Sequence, residues 1–263
     1  MGTVRRRILE CRPGRVDEKE IQVVRETPLT VRLNSRELVT LLCDGENFRE
    51  LALGFLYNEG LLERETALGR VAVNEKTGEA DVEAKVDERL LTAIHGKRLV
   101  TTGCGKGSVF YHVLDSVKAG RVQIAGDLRL PLSFLIEQGR VLAGRSETHR
   151  QTRGTHGAAL LDRAGVVCFR EDIGRHNALD KLAGWLLTER RDPAELALYT
   201  TGRVTSEVVL KAARLGTPII ASRAMPTELA LQLAEQIGLT VVCALRGSSC
   251  LVVLGPERID LEG

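Results

Sequence analysis

The chain has 263 residues, 43% of them apolar and 27% charged, with a formal net charge of +2. That length suits one large domain or two small ones, and the composition is that of a soluble globular protein. So small a net charge gives no ground for a nucleic-acid or membrane-surface partner, and no run of about 18 apolar residues is present to cross a bilayer.

The opening MGTVRRRILECRPG is basic and lacks an apolar signal region. Export is therefore not expected, and the cytoplasm is the expected compartment. The segment reads as a frayed end carrying Cys11. Pro28 to Leu33 and Glu37 to Cys43 read as a hairpin about Asn34-Ser35, and Asn47 to Leu62 as a helix with Leu51, Phe55 and Leu62 on its apolar side. Val71 to Asn74 and Ala80 to Val86 flank Lys76-Thr77-Gly78 as a second hairpin. Lys97 to Thr102 reads as a strand leading into TGCGKGS, and Ser108 as the cap of a helix running to about Lys118.

The pattern weakens from Gly120 to Leu130, the expected linker, and Pro131 opens a new helix. Beyond it Gly157 to Leu161 and Val166 to Phe169 read as a hairpin and His176 to Leu187 as a helix. Strand Leu196 to Thr200, helix Val204 to Leu215, strand Pro218 to Ala221, helix Thr227 to Ile237 and strands Thr240 to Ala244 and Cys250 to Leu254 follow. The alternation predicts an α/β fold, α+β over the whole chain: a mainly parallel sheet with helices on both faces in residues 121–263, and a smaller strand-rich domain in residues 1–120 that ends in the cysteine loop.

In such sheets ligands bind beyond the carboxyl ends of the strands. Three loops leave those ends: Thr201-Gly202-Arg203, Ser222-Arg223-Ala224 and Leu245-Arg246-Gly247-Ser248-Ser249. Each carries an arginine beside small or hydroxylated residues, a combination suited to an anionic, phosphorylated ligand. Ordinary solvated turns are the competing reading. In the run EDIGRHN, Asp172 and Gly174 suit a capped turn, whereas His176 and Asn177 are candidates to touch a ligand. His156, in TRGTHG, is a further candidate to face a pocket, while His95 and His112 receive no role.

Six cysteines occur, with no C-x-x-C among them. Cys43, Cys168, Cys243 and Cys250 lie in or beside apolar runs and read as buried small hydrophobes. Cys104 alone has a glycine on each side. A thiolate is the nucleophile, and Lys106 together with a helix starting near Ser108 would lower the thiol pKa. An exposed thiol of ordinary reactivity is the competing reading. No metal site is expected: none of the five histidines begins an H-x-E, and Cys104 has no neighbouring cysteine to complete a zinc pair.

EDIGRHNALDKLAG, from Glu171 to Gly184, resembles the most distinctive run of the FdhD family, the sulfurtransferase accessory proteins of formate dehydrogenase. GFLYNEGLL, TRGTHGAAL, TGRVTSEVVLKAARLG and PTELALQLAEQIGLTVVCALRG resemble further family segments in the same order. The resemblance implies a cytidine deaminase-like C-terminal fold without zinc residues. It also implies a sulfur carrier that takes sulfur from a cysteine desulfurase as a persulfide on Cys104. That sulfur passes to the molybdenum (or tungsten) bis-guanine-dinucleotide cofactor, held as substrate, before the cofactor enters the formate dehydrogenase catalytic subunit.

Ala244, Leu245, Arg246, Gly247, Ser248 and Ser249 match the family's cofactor-binding stretch, with Thr201, Gly202, Arg203, Ser222 and His176 as further expected contacts; GDP-like nucleotides are expected to fit the same place. A homodimer is implied as well. Three departures stand out: Gly107 replaces the second cysteine of a frequent C-x-x-C, Arg153 stands where a second glycine is usual, and Ala244, Ser248 and Ser249 are small where bulkier or basic residues can occur. Two rival functions remain open from the residues. One is a non-catalytic carrier of the nucleotide cofactor, the other a cysteine-dependent nucleotide hydrolase with His156 or His176 as base.

Overall fold

Thr3–Arg12 (β1) and Arg15–Val24 (β2) pair as an antiparallel hairpin where the sequence reads as a frayed end. The strands alternate charges that face one another, Arg7 with Glu20 at 3.6 Å and Lys19 with Glu10 at 3.3 Å, so the polarity that hides the pattern is part of what pairs it. Cys11 is exposed in β1. This computed structural model describes residues 2–86, 122–189 and 191–262. The expected strand Lys97 to Thr102, the Cys104 loop and the helix after Ser108 lie outside the described residues.

The two predicted N-terminal hairpins are present. Thr27–Leu33 (β3) pairs with Arg36–Cys43 (β4), and Leu68–Asn74 (β5) pairs with Glu79–Ala84 (β6). Parallel pairing of β3 with β6 joins them into one sheet of order β4-β3-β6-β5. Asn34 and Ser35 both turn with positive φ, as a tight hairpin connection demands. Between the hairpins runs helix Phe48–Asn58 (α1), shorter at both ends than the expected span.

The segment expected to be a linker is instead packed. Ile124 N–H donates to Ile237 O at 2.8 Å, and Leu128 is fully buried. After the two-residue strand Leu130–Pro131 (β7), Leu132–Arg145 (α2) is the helix that Pro131 opens. A short helix, Glu147–Thr152 (α3), follows, for which the sequence offers no reading, and its C-cap Arg153 adopts a left-handed conformation with φ 54°. Then come His156–Asp162 (β8), Gly165–Asp172 (β9), Arg175–Glu189 (α4), Ala197–Thr200 (β10), Ser206–Leu215 (α5), Ile219–Ser222 (β11), Glu228–Ile237 (α6), Thr240–Arg246 (β12), Ser249–Leu254 (β13) and Ile259–Asp260 (β14).

The large sheet has the order β13-β12-β11-β10-β8-β9. Only β10, β11 and β12 run parallel; β8, β9 and β13 are antiparallel to their neighbours, so the sheet is mixed rather than mainly parallel. Hairpins build both margins, and only the middle uses helical crossovers.

Alternate residues of the central strands enter two cores. Ala158, Leu160, Leu198, Ile220, Val241 and Cys243 face α1, α4, α5 and α6, whereas Ala159, Leu161, Tyr199, Ala221 and Val242 face α2. Helices thus cover both faces, as expected, and the α/β class stands.

Helix α4 is the hub of the larger core. Its buried residues run almost without break from Ala178 to Leu186, which marks a helix enclosed on several sides. It lies on β8 and β9 and meets α1 at the closest helix contact: a Cβ at Gly54 would sit 1.6 Å from Asp180 O, and one at Gly184 would sit 1.9 Å from Glu50 O. Only glycine permits that approach. Among the described residues no helix is long and apolar enough to cross a membrane.

Candidate functional site: a row of loops along one end of the mixed sheet

Strand direction decides which residues meet. The parallel strands β10, β11 and β12 all end at the same edge, and the pairing of Thr200 with Ala158 puts the start of antiparallel β8 at that edge too. His156 pairs with Asp172, so the end of β9 and the beginning of α4 join them. The row therefore runs from the β12–β13 turn through Ser222, Thr201–Arg203 and His156 to Arg175 and His176. Four strand spacings separate β12 from β9, about 19 Å. The structure brings the expected loop residues, His156 and His176 to this one edge, whereas Asn177 and the Leu245 side chain turn inward.

The loops brace one another. Thr201 Oγ1 accepts from Gly157 N–H at 3.0 Å, and Thr201 N–H donates to Gly157 O at 2.9 Å. Thr200 Oγ1 accepts from Gly202 N–H at 3.1 Å. Ser222 is buried; its hydroxyl donates to Gly202 O at 2.7 Å and accepts from Ala224 N–H at 3.0 Å. Arg223 N–H reaches Thr200 O, and Arg246 Nε donates to Arg223 O at 3.0 Å. Ser222 is thus a brace between the β10 and β11 loops, its hydroxyl fully engaged within the protein.

At the β12 end Ala244 takes a left-handed backbone, φ 50°, where the pairing with β13 is irregular between Cys243 and Arg246. That break turns Leu245 into the core beneath Gly139 of α2, and leaves Arg246, Gly247, Ser248 and Ser249 exposed. Arg140, also on α2, donates through Nε to Gly247 O at 2.9 Å and fixes the turn. Arg203 is exposed in the first loop and Arg223 half-buried in the second. The edge therefore presents several guanidinium forks over a braced backbone, a donor set that fits phosphate oxygens.

The EDIGRHNALDK run divides between two tasks. Asp172, Asn177 and Lys181 turn inward. Asp172 Oδ1 accepts from Gly174 N–H at 3.0 Å and from Asn177 Nδ2 at 2.8 Å, and Asn177 Nδ2 also donates to Leu42 O at 2.8 Å. Lys181 is fully buried, its ammonium 2.5 Å from Asp44 Oδ1, 2.7 Å from Asp172 Oδ2 and 3.0 Å from Glu171 O. Asn177 therefore ties α4 to β4 and does not face the edge.

His176 faces the other way. Its Nε2 is 2.9 Å from Glu207 Oε2 and 3.2 Å from Arg175 Nε. The hydrogen bond from His176 is the first cause holding the Glu207 carboxyl below its usual pKa range. His156, with Nδ1 3.4 Å from Thr201 Oγ1, is held below the usual histidine range by burial first and then by Arg175, His149 and His176. Neutral His156 leaves the arginines as the charge of the edge.

Arg140, Arg175 and Glu207 escape a reading by strand-end loops because helices carry them. The one available signal for Arg175 is its place beside Gly174 and His176.

Cys104 lies outside the described residues. Cys43, Cys168 and Cys243 are buried, and burial pushes each thiol up to about 12; Cys43 also donates to Thr27 O at 3.3 Å. Cys250 is only partly buried, because it stands on the margin strand β13, and so departs from the expected full burial.

Known proteins are similar to this chain almost end to end. A protein called sulfur carrier protein FdhD in Listeria monocytogenes is 37% identical over 246 residues, 94% of each chain. Its namesake in Bacillus subtilis is 38% identical over 250 residues, 94% of this chain and 93% of its own. A crystal structure assigned as a formate dehydrogenase accessory protein from Desulfotalea psychrophila superposes with a TM-score of 0.82 at 30% identity, covering 98% of this chain and 99% of the other. The family model for FdhD/NarQ matches residues 24–260, and the chain belongs to the FdhD/NarQ family.

Proposed function

We propose that this protein is a sulfur carrier for the maturation of formate dehydrogenase, working as a sulfurtransferase through a persulfide on Cys104. The observation that carries the reading is the braced, arginine-bearing edge of the mixed sheet in a chain of the FdhD/NarQ family. Glycine-flanked Cys104, with Lys106 two residues on, supplies the one thiol whose surroundings in sequence favour a thiolate.

The Cys104 thiolate attacks the outer sulfur of a persulfide on a cysteine desulfurase. The donor's cysteine departs as its own thiolate, and Cys104 keeps the outer sulfur. The acceptor is the molybdenum (or tungsten) bis-guanine-dinucleotide cofactor, handled as substrate. Arg203, Arg223 and Arg246 bind its phosphates, and Ala244–Ser249 shape the place where a nucleotide arm lies. Ser222 and Thr201 hold the loops at fixed spacing, so the arginines bind without first ordering the backbone. GDP is the small probe of that place. The protein works in the cytoplasm, where its donor and acceptor meet, as a dimer of two copies.

The test is formate dehydrogenase activity in cells that lack the carrier and are supplied with this one. Wild type restores activity and Cys104→Ala does not, while both bind GDP. Restoration by Cys104→Ala would leave a cofactor carrier that transfers no sulfur.

A further inference from the structure

Arg175 stands at the far end of the edge with its guanidinium half used. Its Nε lies 3.2 Å from His176 Nε2, and among the described residues its two terminal nitrogens meet no partner. Its stem lies against the first loop: a Cβ on Gly202 would sit 3.1 Å from Arg175 Cδ and 3.2 Å from its Cβ. Arg175 therefore forms one wall of the Thr201–Arg203 loop, while Ser222 braces the loop from the β11 side.

The neighbouring pair governs where that guanidinium points. One ring nitrogen, His176 Nε2, faces both Glu207 Oε2 and Arg175 Nε. Carrying a proton it donates to Glu207; without one it accepts from Arg175. It does not do both at once. Glu207 sits in the first turn of α5, the helix the Thr201–Arg203 loop feeds, so the pair ties α4 to that loop. Glu207 is engaged with His176 and feels the Arg175 charge, but among the described residues no carboxylate oxygen bonds the terminal nitrogens of Arg175. A half-buried fork left open in this way matches the two oxygens of a phosphate.

We propose that Arg175 is an anion-binding residue of this edge, closing on a phosphate of the ligand from the α4 side of the Thr201–Arg203 loop, with His176 and Glu207 as the positioning residues that set its reach. The inference rests on the nucleotide reading of the site and extends it from the β12 turn to the opposite end of the row.

Calorimetric titration of the full chain with GDP, and with guanosine as the phosphate-free control, tests it. Arg175→Ala weakens GDP about tenfold, in line with loss of one charge-assisted fork, and leaves guanosine unchanged. Arg175→Lys falls between, since it keeps the charge without the fork. His176→Ala and Glu207→Gln each weaken GDP by less, and His176→Ala adds nothing in the Arg175→Ala background, the non-additivity that a positioning role produces.

GDP binding by Arg175→Ala equal to wild type, or an equal loss for guanosine, would overturn the inference while leaving the nucleotide reading in place. An additive double variant would remove His176 and Glu207 from it. A wild type that binds no GDP would remove both readings together.

Discussion

Asp172 Oδ2 lies 2.7 Å from the ammonium of Lys181, and both side chains are fully buried. With Asp44 Oδ1 at 2.5 Å on the same ammonium, the group ties the β4–α1 connection to β9 and α4. One cation thus serves two carboxylates at the joint beneath the functional edge. Removing it leaves two buried acids facing each other. Lys181→Met is expected to destabilise the protein by about 3–5 kcal/mol, the cost of breaking a buried pair from one side, as read by urea unfolding. Stability within about 1 kcal/mol of wild type would mean that the joint carries no such load.

The two carboxylates are not equivalent. Asp172 receives amide donors from Gly174 and Asn177, whereas Asp44 Oδ2 is buried without a hydrogen-bond partner. Burial pushes the Asp44 carboxyl up from 3.8 to about 6, against the pull of Lys181. A raised carboxyl binds its proton more tightly in the folded state than in the unfolded one. Stability then falls as pH rises from about 4 to about 6, and is level above that. The unfolding free energy of wild type is therefore expected to fall relative to that of Asp44→Asn across that window. A wild type that gains on the variant between pH 4 and 6 would contradict the assignment.

The α1–α4 contact admits no side chain. Gly184→Ala places a Cβ against Glu50 O, a backbone atom that yields only if the helices part. Overpacking of this kind costs about 1–3 kcal/mol or more, and a lowered melting temperature with loss of the Arg170–Glu50 bond is the expected outcome. That bond joins α1 to β9, on which α4 lies, through both carboxylate oxygens at 2.5 Å. An unchanged melting temperature would mean that α1 and α4 stand far enough apart to admit a Cβ.

Thiol chemistry separates the cysteines. Burial holds Cys43, Cys168 and Cys243 up at about 12, so each stays protonated and shielded near neutral pH. Brief alkylation of the native protein with iodoacetamide, followed by peptide mass analysis, is expected to leave these three unmodified and to label all six cysteines only after unfolding. Rapid native labelling at Cys43 would place that residue outside the core.

Most elements were legible because their signals are local. Hydrophobic period and glycine or proline punctuation mark Thr27–Leu33, Arg36–Cys43, Ser206–Leu215 and Glu228–Ile237 to within a few residues of where they stand. Strand direction was legible only in part: β8 and β9 read as the hairpin they form, but nothing local shows that β8 runs antiparallel to β10, or β13 to β12, which turns the sheet mixed. The charges of β1 and β2 disguised a hairpin whose stability lies partly in those charges.

The edge loops were readable from the rule that ligands gather at strand ends. Arg140, Arg175 and Glu207 come to the same place from helices, through contacts that no spacing along the chain encodes. Asn177 shows the reverse case, a polar residue in a suggestive run whose amide serves Leu42 O and Asp172.

A sulfur held on one cysteine adds mass to the protein, and intact-protein mass spectrometry detects it. Wild type and Cys104→Ala are each incubated with a cysteine desulfurase and free cysteine. Wild type is expected to gain one sulfur atom, which reductant removes and which the variant lacks. No gain in wild type, or an equal gain in both proteins, would contradict a persulfide on Cys104.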